Sequence, residues 1–118
     1  MTHARRKADE LWGALVRKGR CELQDLGPCG GPIQACHGLS RGYLGTRYLL
    51  DNGFSGCAGH NFFAEVKPLE WDEYLRRRWG IPKYEEMRTR ALNFGKKGER
   101  MDYEQVIADL RVRNEEGR

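Results

Sequence analysis

The first stretch of the chain carries apolar residues at helical spacing. They recur every three or four positions, at Ala8, Leu11, Trp12, Leu15 and Val16. Arg17 and Lys18 then supply a basic last turn, and Gly19 supplies a stop signal. The pattern predicts a helix within residues 1–20 that packs on the core through its apolar face.

Helical periodicity is lost at Cys21 and returns only after residue 67. Glycine is frequent in between, and short segments compatible with β-structure, such as residues 32–36, lie between turn signals. We therefore expect residues 21–67 to form an irregular core with short strands.

Three further helical segments make up the rest of the chain. Acidic residues open the first segment and three arginines, residues 76–78, close it, as the helix dipole favours. Pro82 opens the second, and Asp102 with Gln105 forms a capping-box-like start to the third. Residues 68–118 are thus predicted to be a helical extension, and the whole chain an α+β fold with helices flanking a small core.

Length and charge narrow the class of protein without deciding it. The chain has 118 residues, enough for one domain, and its 21 basic and 17 acidic residues leave a net charge of +4. That surplus fits either a polyanionic partner or an ordinary solvated surface. No apolar run approaches the roughly 20 residues of a membrane span, and the basic start does not resemble a secretory signal. We expect a cytoplasmic protein without membrane contact.

Four cysteines point to chemistry in the irregular core. In a secreted protein they would predict two disulfides, and in a cytosolic protein metal ligation. Two of the three histidines lie among them, which metal binding needs and disulfides do not. The set is Cys21, Cys29, Cys36, His37, Cys57 and His60. Metal binding is therefore favoured, with a secreted disulfide domain as the alternative.

The spacing of these residues suggests one structural zinc site. Cys57 and His60 form a Cys-x2-His pair, a spacing that can direct two ligands on a turn entering a helix at one tetrahedral zinc. Cys21 and Cys29 are the plausible second pair, because glycines between and after them let the loop turn back. The alternative is that some cysteines are small buried apolar residues. Removing zinc from such a site should unfold the protein.

Between the two zinc pairs the sequence resembles a family of nucleases. The shared elements are Gln34-Ala35-Cys36-His37, Thr46-Arg47-Tyr48 and Asn52, with Asn61 directly after the second zinc pair. This order is similar to the His-Asn-His (HNH) endonucleases with a ββα-metal fold, and among them to phage-encoded recombination nucleases of the NinG/Rap kind. The resemblance covers about residues 21 to 64.

The resemblance implies a role for each matching residue. His37 would be the general base that activates water, Asn52 would brace the loop, and Asn61 would bind a catalytic Mg²⁺ or Mn²⁺ at the start of the helix. Each residue also has a simpler interpretation. His37 fits a packed histidine, Asn52 with Gly53 a hairpin turn, and Asn61 a polar residue at a helix start.

The position before His37 departs from many members of that family. They have an aspartate there, as a second metal ligand, whereas this chain has Cys36. Either Cys36 binds the catalytic ion, which would favour softer metals, or it is a packed thiol at the end of a strand. Asp51 is a further candidate to supply a carboxylate from the neighbouring loop.

Arginines next to His37 are candidates for holding DNA. Arg41 and Arg47 lie in a stretch rich in glycine and aromatic residues, and guanidinium groups clamp phosphates well. We therefore expect a metal-dependent DNA endonuclease, acting on branched or double-stranded DNA in a bacterial host cytoplasm if it is phage-encoded, with a dimer as one option. The alternative is a non-catalytic zinc-binding adaptor for DNA or protein.

Overall fold

A computed structural model describes residues 2–116. This part of the chain has an α+β fold with six α-helices and one two-stranded sheet, which confirms the predicted class. In chain order the elements are α1 (His3–Val16), β1 (Ile33–His37), α2 (Leu44–Arg47), β2 (Gly53–Cys57), α3 (Ala58–Val66), α4 (Pro68–Trp79), α5 (Ile81–Asn93) and α6 (Tyr103–Glu116).

The two strands and α3 form a ββα unit. β1 pairs with β2 in antiparallel fashion, and the register places Ile33 opposite Cys57 and His37 opposite Gly53. α3 begins at Ala58, directly after β2. The hairpin therefore has two ends with different contents: Cys57 lies at one end, and His37 lies at the other.

Helices cover both faces of this hairpin. Cys36 and Phe54 pack with Leu23 and with Trp71 and Leu75 of α4 in one apolar cluster, called the α4 cluster below. In the second cluster, Ala8, Trp12 and Val16 of α1 are buried against Leu110 of α6 and against Tyr48, which follows α2. Alternate residues of a strand point to opposite faces, so five-residue strands can contribute to two cores.

α1 is longer than its apolar pattern indicates. Thr2 caps it by accepting a hydrogen bond from the backbone N–H of Arg5, which adds a turn before the first apolar residue. The helix also lies very close to the sheet. A Cβ added to Gly53 would come within 2.5 Å of Val16 Cγ2, so glycine is required here by the close approach of α1.

The C-terminal helices follow the sequence prediction closely. Pro82 lies in the first turn of α5, and the carboxylate of Asp102 accepts a hydrogen bond from Gln105 N–H at the start of α6. Gly95 and Gly98 adopt positive φ angles, 93° and 79°, in the loop between the two helices. Within residues 2–116 no helix is long and apolar enough to cross a membrane.

Candidate metal centre and catalytic cleft

The two proposed pairs of zinc ligands meet in one cluster. The ligand atoms of Cys21, Cys29, Cys57 and His60 all lie within 4.8 Å of one another. His60 Nδ1 is 3.3 Å from the Sγ atoms of Cys21 and Cys57 and 3.9 Å from that of Cys29. Metal–ligand bonds of about 2.3 Å to sulfur and 2.0 Å to nitrogen give S···N edges of about 3.5 Å in a tetrahedron. The four residues therefore fit a metal ion, as a Cys3His cluster.

Local backbone structure brings these ligands together. Cys57 is the N-cap of α3, and its Sγ accepts hydrogen bonds from the N–H groups of His60 and Gly30, both at 3.4 Å. Cys21 Sγ accepts from Leu23 N–H at 3.4 Å and from Cys57 N–H at 3.3 Å. Donors directed at sulfur stabilise thiolates. The cluster thus has the backbone support that a thiolate metal site needs.

All four cysteines are free thiols, so the disulfide alternative does not match this fold. Desolvation and the neighbouring sulfurs of Cys21 and Cys57 raise the pKa of Cys29 to about 11. The pKa of Cys57 is lowered instead, because hydrogen bonds that include those from the N–H groups of Gly30 and His60 outweigh its desolvation. The Cys29 thiol therefore resists losing its proton unless a cation is bound. Metal binding supplies that charge and releases the protons.

An open cleft of about 470 Å³ lies between α1, β1 and the start of α3. The cleft contains His37 and Asn61, the general base and the metal ligand predicted from the sequence. The lining residues are Asp9, Trp12, Gly13, Arg17, Ile33, Gln34, Ala35, His37, Arg41, Arg47 and Asn61. His37 and Asn61 therefore face the same space, one from the end of a strand and the other from the first turn of a helix.

His37 is held firmly in this cleft. Its ring stacks on Trp12 with centroids 4.0 Å apart and planes at 11°. Its Nε2 lies 3.1 Å from the backbone carbonyl oxygen of Arg47. A carbonyl can only accept, so Nε2 carries the proton and Nδ1 keeps a lone pair. Burial lowers the pKa of His37 to about 4, so the imidazole is neutral at physiological pH.

This lowered pKa predicts acid sensitivity of the fold. The unfolded chain, with an ordinary histidine pKa near 6.5, takes up the proton first, so the free energy of unfolding falls as the pH drops from 6.5 towards 4. We expect a contribution of roughly 2 kcal/mol to be lost by pH 5. Urea unfolding of the metal-loaded protein and of His37→Gln across this range measures it. Protons also compete for the metal, but equally in both proteins, and identical pH profiles would contradict the prediction.

Asn52 braces the loop that follows His37. It is fully buried; its Oδ1 accepts from Leu39 N–H at 2.7 Å, and its Nδ2 donates to the Leu39 carbonyl at 3.1 Å. The hairpin-turn interpretation of Asn52-Gly53 is wrong, because Asn52 ends a short 3-10 turn and Gly53 begins β2 with φ of −113°. A type I′ turn would need positive φ angles at both residues.

Truncating Asn52 is expected to destabilise the protein by about 3 kcal/mol. Asn52→Ala leaves the N–H and C=O of Leu39 without partners in a largely buried position, and each such group costs about 1–3 kcal/mol. Denaturant unfolding with metal bound measures the loss. Asn93→Ala, at an exposed position, is the matched control. Equal unfolding midpoints for the two variants would show that these bonds contribute little.

Asn61 has its amide orientation fixed by a neighbour. Its Nδ2 donates to Gln34 Oε1 at 2.8 Å, which leaves Asn61 Oδ1 free to bind a cation. Mg²⁺ at phosphate sites commonly takes one or two protein carboxylates and completes its shell with water and phosphate oxygens. The cleft offers this neutral amide and the carboxylate of Asp9, which is already paired with Arg47. Its residues fit a divalent ion only weakly, so such an ion would depend on substrate oxygens.

Two further candidates for the catalytic ion lie elsewhere. Cys36 is 2% exposed and packs in the α4 cluster beside Leu23, on the face of β1 away from His37, and burial raises its pKa to about 12. Asp51 lies outside the cleft, with Oδ2 3.5 Å from Lys83 Nζ. The structure corrects both predictions: the thiol is a core residue, and the carboxylate forms a surface ion pair. Within residues 2–116, only the Cys3His cluster groups three or more potential metal ligands of the His, Cys, Asp and Glu types.

The two arginines predicted to bind DNA have different surroundings. Arg41 is exposed at the edge of the cleft. Arg47 is 4% exposed, and its guanidinium donates to both carboxylate oxygens of Asp9 and to the Arg41 carbonyl. This pairing occupies most of the group, so Arg47 is poorly placed to bind a phosphate. Arg17, exposed at the end of α1, is a cation at the cleft that sequence analysis did not select.

The cleft also contains residues of α1 that were not predicted as site residues from the sequence. Asp9, Trp12 and Gly13 are spaced by three and four positions, which places them on one face of a helix. This spacing is present in the sequence, but Asp9 does not belong to the apolar pattern that predicts the helix. In comparisons with known proteins, no family model, no curated protein and no solved structure matches this chain.

Proposed function

We propose that this protein is a metal-dependent DNA endonuclease with zinc in its Cys3His cluster. The observation that carries the proposal is the shared cleft of His37 and Asn61 on a ββα unit whose other end is the metal cluster. This arrangement agrees with the one implied by the family resemblance. Three sulfurs and one imidazole nitrogen in tetrahedral spacing favour zinc among the common metals.

In this proposal His37 acts as the general base. Nδ1 takes a proton from water, while Nε2 keeps its own proton and donates it in the hydrogen bond to the Arg47 carbonyl. With a pKa of about 4, His37 is a weak base. A bound phosphate would raise this pKa, because its negative charge favours the imidazolium form. A divalent ion, when bound, would neutralise charge on the phosphate, and Asn61 Oδ1 is the protein oxygen that would hold it. Arg17 and Arg41 would hold the DNA backbone.

A cleavage assay tests this function. Supercoiled plasmid and a branched DNA duplex are incubated with the zinc-loaded protein and Mg²⁺ or Mn²⁺, with EDTA added briefly in a parallel reaction. We expect nicked or cleaved DNA only where the added ion is free. Absence of cleavage with every ion and substrate would favour a non-catalytic adaptor. That alternative has one observation in its favour, the weak set of cation ligands in the cleft.

Arg41 should affect binding of DNA more than chemistry. Arg41→Ala removes an exposed guanidinium but keeps the main-chain carbonyl that Arg47 uses. We expect KM for DNA to rise about tenfold, with the salt dependence of binding reduced by about one counterion. The control is Arg77→Ala, an exposed arginine on α4 outside the cleft. A change in kcat alone would contradict a phosphate-binding role.

A further inference from the structure

A continuous set of contacts joins α1 to the imidazole of His37. The carboxylate of Asp9 accepts from Arg47 Nε at 3.2 Å and from Nη2 at 3.0 Å to each oxygen. Arg47 Nη1 donates to the Arg41 carbonyl at 3.2 Å. The main-chain oxygen of the same Arg47 accepts a hydrogen bond from His37 Nε2–H. The side chain of residue 47 is thus fixed by Asp9, and its backbone fixes His37.

The helix that carries Arg47 cannot hold this carbonyl by itself. α2 has only four residues, and no side chain caps its start. A single turn of helix is unstable in isolation, because nucleation fixes several residues for one hydrogen bond. The ion pair between Asp9 and Arg47 is bidentate, and the arginine side chain is buried. A bidentate pair holds both groups in one defined geometry. Arg90 of α5 also holds this short helix, since its Nε donates to the Gly45 carbonyl at 3.1 Å. At the other end of α2, the Asp9 pair restrains Arg47 and so helps to fix the carbonyl that projects from it.

We propose that Asp9 is a positioning residue that acts through Arg47 to hold His37 with its proton on Nε2 and its Nδ1 lone pair free. Stacking on Trp12 restrains the ring plane, and the Arg47 carbonyl decides which nitrogen is protonated. The consequence for catalysis rests on the proposed nuclease function; the effect on the imidazole does not. In this inference Arg47 orients the base instead of contacting DNA.

The tautomer of His37 is the direct readout. Long-range ¹H–¹⁵N spectra of the full chain, with metal bound and no DNA, report which ring nitrogen carries the proton. The variants are Asp9→Asn, Arg47→Gln and the two combined, with Glu10→Gln on the exposed face of α1 as the control. The double variant leaves no unpaired buried charge, so it keeps the test possible if a single variant unfolds. Bound metal and near-UV circular dichroism verify folding.

We expect a single Nε2–H tautomer in the unmodified protein and in Glu10→Gln. Each of the three variants should show a mixture of tautomers. If the chain cleaves DNA, kcat should fall roughly 10-fold to 100-fold with KM little changed, since a small misplacement of a catalytic group has an effect of this size. The double variant should be no worse than the poorer single variant, because both changes break one connection.

Either of two results would overturn the inference. One is an unchanged Nε2–H tautomer in the folded double variant. The other is a rise in KM with Arg47→Gln that Asp9→Asn does not share, which would make Arg47 a DNA contact. If the unmodified protein cleaves no DNA, the tautomer still decides the positioning role. Failure of the proposed function and failure of this inference are therefore separate outcomes.

Discussion

Removing the metal from the Cys3His cluster is expected to unfold the ββα unit. The four ligands come from separate segments: Cys21 follows α1, Cys29 lies in a loop, Cys57 ends β2, and His60 lies in α3. In zinc-finger peptides, structural zinc contributes on the order of 10 kcal/mol of apparent binding free energy. That is comparable with the whole stability of a domain, about 5–15 kcal/mol, so little would remain without the ion.

Cys57→Ser and chelation should give the same result, and a second buried cysteine provides the control. Circular dichroism and one-dimensional NMR should show loss of cooperative unfolding in both cases, and elemental analysis should show loss of one metal ion per chain. Cys36→Ala also removes a buried thiol, but from the α4 cluster; it should keep the metal and lose only about 1 kcal/mol. A chelated protein that still melts cooperatively at the original temperature would show that the core suffices alone.

Replacing His37 is expected to reduce DNA cleavage about 10²- to 10⁴-fold, the usual contribution of a general base. His37→Ala removes Nδ1 from the cleft, while the exposed arginines that would hold the DNA remain. The effect should therefore appear in kcat, with the Kd for DNA nearly unchanged. Because the ring also packs on Trp12, metal content and melting temperature are measured for each preparation.

His3→Ala is the matched control for that loss. His3 is the only other histidine outside the metal cluster, and it is exposed at the start of α1. The His3→Ala variant should cleave DNA at the same rate as the unmodified protein. Equal cleavage by His37→Ala and the unmodified protein would remove His37 from the mechanism and leave the nuclease proposal without its base.

The sequence predicted the features that have local signals. The Cys-x2-His spacing of Cys57 and His60 places both on one turn, and the pairing with Cys21 and Cys29 follows from chemistry, so the whole metal cluster was found. Helix positions also follow from local pattern, as Pro82 and Asp102 show at the starts of α5 and α6. The Asn52 brace was implied by the resemblance, although the turn chemistry of Asn-Gly favoured a different local structure.

The interpretations that changed depend on long-range packing. Arg47 looked like a phosphate ligand because its neighbours in sequence are glycine and aromatic residues, but its partner Asp9 lies 38 positions away. Cys36 and His37 are adjacent in sequence, so alternation along β1 places them on opposite faces, but only the packing of the helices shows that Cys36 faces the core and His37 the cleft. Asp51 could be assigned to a surface ion pair only when the position of Lys83 was known.

The separation of the metal ligands along the chain has a kinetic consequence. Cys21 and His60 meet across 39 residues, so the cluster closes a long loop. The chain loses conformational entropy when this loop closes, and the favourable free energy of metal binding is gained only afterwards. During synthesis the cluster cannot be completed until His60 has left the ribosome, by which time α1 and both strands are already available to pack. The supply of metal ion at that moment would then set how fast newly made chains reach the native state.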